Sequence, residues 1–118
     1  MDNQVGFQRL VVWQKADQLA LTIYRLTSTF PKTEIFALTS QLRRAALSVA
    51  TNIVEGYARN SKTECRRFLV IALGSLAETK YLLSVALRLR YLQERDYKEV
   101  MLPADEVGRM LWKFYRTK

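Results

Sequence analysis

The sequence predicts an all-α protein: one domain over residues 1–118, folded as an antiparallel up-down-up-down four-helix bundle. Three observations carry this. Apolar residues recur at alternating steps of three and four through four long stretches, the period of a helix with one buried face. The chain contains four glycines and two prolines, few for a sheet protein that must turn often. The stretches are joined by short connections, which set consecutive helices side by side and antiparallel. A chain of 118 residues that is 49% hydrophobic can bury a core without a metal or a disulfide. No internal repeat, low-complexity tract or long linker divides it.

The first stretch runs from about Arg9 to Thr29, striped by Val12, Ala16, Leu19, Ile23, Leu26 and Phe30. It ends at Phe30-Pro31, because proline disfavours helical geometry in the residue before it. The second covers about Ala37 to Arg59, with Leu38, Leu42, Ala45, Val49, Ile53 and Gly56 as its stripe and Thr39 or Ser40 placed to cap it. The third opens on Ser61-Lys62-Thr63-Glu64, the capping-box spacing of a hydroxyl three residues before a glutamate. It continues through Cys65, Leu69, Ala72, Leu76, Leu83 and Ala86 to about Tyr91. The fourth spans about Glu94 to Arg116 on Tyr97, Val100, Ala104, Val107, Leu111 and Phe114. Pro103 inside it predicts a kink or a division into two shorter helices.

If helices 2 and 3 turn between Asn60 and Ser61, Glu55 comes level with Arg66 and Arg43 with Glu78, so two ion pairs would brace the hairpin. Asn52 comes level with Leu69 and Leu47 with Gly74, and Gly74 with Ser75 marks a close approach of helices. The same register aligns two uncharged decades, AALSVATNIV at 45–54 and FLVIALGSLA at 68–77. A helix in a solitary bundle shows charge on its outer face. Small polar residues such as Ser48, Thr51 and Ser75 facing water are one explanation. The other is an outer face packed on a second copy of the chain. Leu47, Val70 and Ile71 cannot all point into one core, which favours the homo-oligomer.

Most catalytic classes lack their residues. There is no histidine, the commonest general base and metal ligand. One cysteine cannot supply a zinc site. Glu55, Glu64 and Glu78 are scattered, with no Glu-x-x-His pair for a di-iron bundle, and Gly56, Gly74 and Gly108 are isolated rather than grouped in a phosphate-cradling loop. The expectation is a protein with no enzymatic activity, no cofactor and no metal. Cys65, without a disulfide partner in the chain, reads as a small buried hydrophobe suited to a reducing cytoplasm. The opening MDNQVG lacks the pattern of a secretory signal, and no uncharged run approaches the ~18 residues of a membrane-spanning helix. A cytoplasmic protein with no membrane partner follows as the expectation.

Charge is the remaining signal. Nineteen Lys and Arg against eleven Asp and Glu give a net +8. Residues 1–58 hold six cations and four anions, and residues 59–118 hold thirteen and seven, so the surplus is concentrated in the second half. Such a surplus favours anionic partners. Arg43, Arg44, Arg59, Lys62, Arg66 and Arg67 all lie on the hairpin of helices 2 and 3, four of them within a turn or two of its tip, beside Tyr57. Clustered arginines with an adjacent ring can hold a phosphate backbone and stack on an exposed base. The competing reading gives Arg66 to Glu55 and Arg43 or Arg44 to Glu78, leaving an ordinary solvated face. Arg88, Arg90, Arg109, Lys113, Arg116 and Lys118 form a second set, most of which reads as solubilising charge.

LVVWQKA at 10–16, LTSQLRRAALSVATNIVEGYAR at 38–59 and FLVIALGSLAE at 68–78 resemble the bacterial four-helix-bundle family named for the 23S rRNA intervening sequence. The combination of Asn52, Ile53, Glu55 and Gly56 with Arg59 and Ser61 is specific to it, and Gly74 to Glu78 supports it independently. The resemblance covers nearly the whole chain. It implies a four-helix bundle that assembles into a homopentamer, with a generally uncharacterised function suspected to involve RNA. A related branch, the accessory variability protein of diversity-generating retroelements, is similar in fold and binds a reverse transcriptase together with nucleic acid. The family pattern falls here on Arg43, Arg44, Asn52, Glu55, Gly56, Arg59, Gly74 and Glu78, which makes Asn52, Glu55 and Glu78 its structural polar positions. Ala50, where many members have proline, Cys65, where a larger apolar residue is usual, and Pro103 depart from the pattern. The departures imply a straighter second helix and a less regular fourth.

Two functional expectations result. In the first, a homo-oligomer, a pentamer by the resemblance, binds nucleic acid, RNA in particular, through Arg43, Arg44, Arg59, Lys62, Arg66 and Arg67. In the second, the oligomer is a scaffold that recruits a nucleic-acid-processing or other protein, and its charge serves solubility or steering.

Overall fold

Local chemistry sets where each helix starts and stops. The structure is a computed structural model that describes residues 6–118; the five residues before them, on which the secretory-signal reading partly rests, lie outside it. Gly6, at φ +58°, opens a short 3-10 turn over Gly6–Arg9. Helix α1 follows over Val11–Thr27. Its last carbonyls are taken by hydroxyls: Thr27 Oγ1 donates to the Ile23 carbonyl at 2.8 Å and Ser28 Oγ to that of Arg25 at 2.7 Å.

Helix α2 spans Leu38–Tyr57. Neither Thr39 nor Ser40 caps it. Thr39 is inside the helix and buried, and the carboxylate of Glu34, on the preceding 3-10 turn, accepts from the Leu38 amide at 3.2 Å. A negative group at a helix N-terminus is favoured by the helix dipole as well as by the bond. Helix α3 runs over Lys62–Arg88, and Ser61 caps it as the spacing predicts, its Oγ accepting from the Glu64 amide at 3.0 Å. The Glu64 side chain, however, turns to Arg67 at 3.4 Å.

The end of α3 is a Schellman motif: the Tyr91 amide reaches the Ala86 carbonyl and the Arg90 amide that of Leu87, both at 2.9 Å. The residue that must turn left-handed is Arg90, at φ 64°, where glycine is usual. Helix α4 spans Glu94–Arg116 without interruption. The predicted division at Pro103 does not occur. Proline removes one backbone bond, to the Glu99 carbonyl, but Val100, Ala104, Val107 and Leu111 on both sides of it are buried in one stripe, and that packing holds the helix together.

The helices pack in ring order, α1 on α2 and α4, α3 on α2 and α4. Contacts run antiparallel between each neighbouring pair. Arg43 on α2 bonds to Thr27 on α1, Ser48 to Ser75 between α2 and α3, Lys80 to Asp105 between α3 and α4, and Lys15 to Glu106 between α1 and α4. The core follows the predicted stripes, with Leu19, Ile23, Leu42, Ile53, Leu69, Leu83 and Leu111 fully buried and Cys65 buried among them, while Leu26, Tyr97 and Phe114 are only partly buried against it.

At Gly56 α2 and α3 approach each other closely. A Cβ there would stand 3.2 Å from the Cys65 carbonyl oxygen and 3.3 Å from Phe68 Cβ. The close approach expected at Gly74 is absent: a Cβ on that residue would meet nothing within 4 Å, because Gly74 lies on the outer face of α3.

Candidate nucleic-acid interface

The predicted register of the α2–α3 hairpin places its polar residues at matching heights, but the two predicted ion pairs are not formed. Arg43 turns away from Glu78 to α1, where Nε donates to Thr27 Oγ1 at 2.8 Å and the guanidinium lies 4.7 Å over the Tyr24 ring. Glu78 accepts from Gln41 at 3.4 Å. Glu55 pairs with Arg59, four residues on and just past the end of α2, at 3.2 Å. Arg43 finds its partners on α1, Glu78 on a different residue of α2 and Glu55 four residues along the chain, so level position alone does not decide the pairing. Asn52 donates to the Ser48 carbonyl at 2.8 Å and to Ser48 Oγ at 3.0 Å, which buttresses the Ser48–Ser75 bond.

The six predicted cations separate into two groups. Arg43 and Arg44 stand on α2 at least thirteen residues before its last residue, Tyr57, about 20 Å along the helix from the turn that carries Arg59. Arg44 is exposed and lines a groove of about 640 Å³ with Phe36, Gln41, Ser48, Ser75 and Glu78. Arg59, Lys62, Arg66 and Arg67 stay together at the hairpin tip, all exposed.

Aromatic rings hold the tip arginines. The Arg59 and Arg67 guanidiniums lie 4.7 and 5.6 Å from the Phe68 ring centre, and that of Arg66 lies 4.4 Å over Tyr115 on α4. Lys118 Nζ is 4.8 Å over Phe114. A ring fixes the direction of a cation without cancelling its charge, and a stacked guanidinium keeps its in-plane N–H donors free for an anion. The carboxylates at the tip, Glu55 and Glu64, each engage one arginine in an exposed pair. Such pairs contribute ~0–1 kcal/mol and exchange easily for a phosphate. Arg66 has no carboxylate partner among the described residues.

Phe68, Phe114, Tyr115 and Lys118 were not legible as partners of this cluster. Phe114 read as a core position of α4, Phe68 only as part of an uncharged decade and Lys118 as solubilising charge, and only the packing of α4 against α3 brings the last turn of the chain to the hairpin tip.

The outer face of α3 is apolar. Val70 and Ile71 are 52% and 46% exposed, Leu47 on α2 is 41% exposed, and Gly74 lies among them. By length and composition alone, α3 is apolar enough over 18 residues to cross a membrane, and 33% of that window is buried in the bundle. Among the described residues no group of three or more His, Cys, Asp or Glu side chains could hold a metal ion.

Fold and surface together define a basic, all-α four-helix-bundle protein with a cationic end and an apolar flank. The chain belongs to the 23S rRNA-intervening sequence protein family, whose model matches residues 8–113. It is similar to the crystal structure of a protein of unknown function from the S23 ribosomal protein family of Bacteroides thetaiotaomicron. The two share 25% identity and a TM-score of 0.80 over 89% of this chain and 98% of that one. No match is found among curated proteins.

Proposed function

We propose that the protein is a non-enzymatic, cytoplasmic oligomer that binds RNA through the basic end of its α2–α3 hairpin. The observation that carries this reading is the set of arginines oriented by rings, with Arg66 without a carboxylate partner among the described residues and Arg59 and Arg67 in exposed pairs with Glu55 and Glu64. Arg66 over Tyr115, and Arg59 and Arg67 about Phe68, present fixed donors to solvent. Ordering costs little when the donors are already held. A symmetric assembly repeats the same patch on every copy and concentrates it, and the exposed Leu47, Val70 and Ile71 supply the face on which copies would meet. The family's name supports an RNA-related role.

Filter binding of single-stranded and structured RNA at low salt tests the reading. Binding should weaken with salt at a logarithmic slope of roughly −0.7 per neutralised phosphate on a single strand, because counterions are released. Absence of binding at micromolar protein rejects it.

The apolar flank of α3 favours a second reading, a scaffold whose oligomer recruits a protein and uses its charge for steering. A partner retained in a pull-down after nuclease treatment, from a protein that binds no RNA, supports this one.

A further inference from the structure

The α2–α3 turn encloses a small hollow that the cluster above does not by itself explain. Gly56, Tyr57, Arg59, Ser61, Lys62 and Lys118 are among its lining residues, and its volume is about 130 Å³. Three of these are cations, drawn from the turn after α2, the start of α3 and the second residue after α4. The one acid paired with them is Glu55, on Arg59. Lys62 has no ion-pair partner among the described residues. At less than half of the ~300 Å³ where sites for whole small molecules begin, the hollow has room for a phosphate group and not for a nucleoside. A nucleotide seated by its phosphate must therefore leave its base outside.

Tyr57 lines the same hollow and is 47% exposed. A base leaving the hollow meets that ring. In a duplex the base faces are covered by their neighbours and cannot reach a side-chain ring, whereas an unpaired base offers its face to one. Cations in a phosphate-sized hollow beside an exposed ring therefore discriminate between strands as well as attracting them. The discrimination needs no sequence readout, since every base has such a face.

Resting on the proposed binding of RNA at this end, we infer that the turn is a site for one unpaired nucleotide, its phosphate among Arg59, Lys62 and Lys118 and its base on Tyr57. The phosphate could be terminal or internal to a strand; the chemistry is shared.

The test is fluorescence anisotropy of the full chain at low salt with three labelled probes of equal length: 5′-phosphorylated oligouridylate, the 5′-hydroxyl form, and a blunt RNA duplex. The single strands are expected to bind at least about tenfold more tightly than the duplex. Tyr57→Ala should weaken the single strands by about fivefold or more, the lower end of a base–ring stack, and leave the duplex unchanged. Lys62→Ala with Lys118→Ala should weaken single-strand binding further, with the helical circular dichroism retained. A preference for the 5′-phosphorylated strand places a terminal phosphate in the hollow, and equal affinity places an internal one; either supports the site. Equal affinity for strand and duplex with Tyr57→Ala silent overturns the site while leaving a basic RNA-binding end. Single-strand binding indifferent to the two lysines overturns it as well. Failure of all three probes to bind rejects the functional reading itself.

Discussion

The hydroxyl oxygens of Ser48 and Ser75 lie 2.7 Å apart and join α2 to α3 at the middle of the hairpin. Hydrogen bonds of this kind contribute about 0.5–1.5 kcal/mol net. A double-mutant cycle of Ser48→Ala and Ser75→Ala, followed by urea denaturation, should give a coupling energy of about 1 kcal/mol. Coupling near zero would mean that the Ser48–Ser75 bond contributes no net stability.

Arg66→Glu with Arg67→Glu should weaken RNA binding by about tenfold or more, ~1.4 kcal/mol. The salt slope should become shallower by roughly 1.4 if both residues meet phosphates of a single strand. The fold should lose little, since an exposed cation–ring contact such as Arg66 over Tyr115 is worth ~0.5–1 kcal/mol. Denaturation measured beside binding separates the two effects; collapse of the fold would show the arginines to be structural.

Gly56→Ala and Gly74→Ala should act in opposite ways. The first drives a methyl against the Cys65 backbone and should cost about 1–3 kcal/mol of unfolding free energy. The second meets open space within the chain and should stabilise the dissociated subunit by up to ~1 kcal/mol through helix propensity. Equilibrium denaturation at low protein concentration checks both.

Arg90→Gly should stabilise the protein by about 1 kcal/mol. Arg90 holds a left-handed backbone at φ 64°, which glycine adopts without the crowding of a Cβ. A lower melting temperature in the variant would contradict this.

The Tyr91 hydroxyl donates to Glu34 Oε2 at 3.0 Å, and that bond, with lesser help from burial and from the carboxylate's charge, raises its pKa above the usual 10. Folding thus favours the neutral phenol. The contribution is complete below the unfolded value near 10 and is lost as pH rises through the higher folded value. Denaturation from about pH 9 upward should show a steeper alkaline loss of stability in the natural protein than in Tyr91→Phe.

Val70→Lys with Ile71→Lys should leave a helical protein that light scattering finds as a monomer, against an oligomer for the natural sequence. Both residues are exposed in the subunit, so their replacement removes no core contact. An unchanged mass would place the contact between copies elsewhere.

Apolar periodicity made the four helices and their core legible, because burial is read directly from spacing. Ser61 was legible as a cap for a similar reason: the partners are three residues apart. Thr39 was misread and Glu34 unseen, since the cap of α2 comes from a separate turn of chain. Arg43 and Arg66 were placed on the right helix but given the wrong partners. Their partners, Thr27, Tyr24 and Tyr115, belong to α1 and α4, and a two-helix register says nothing of a third helix. Pro103 does not divide α4, because local propensity gives way to a buried stripe. The basic tip itself was visible in the hairpin sequence, whereas its rings and Lys118 required the bundle to close.

One carboxylate, Glu34, engages both the α2 amide end and Tyr91. The two connections at that pole are thereby stitched to each other, roughly 30 Å along a twenty-residue α2 from the other pole. Hydrogen exchange should find those two loops opening as a single event.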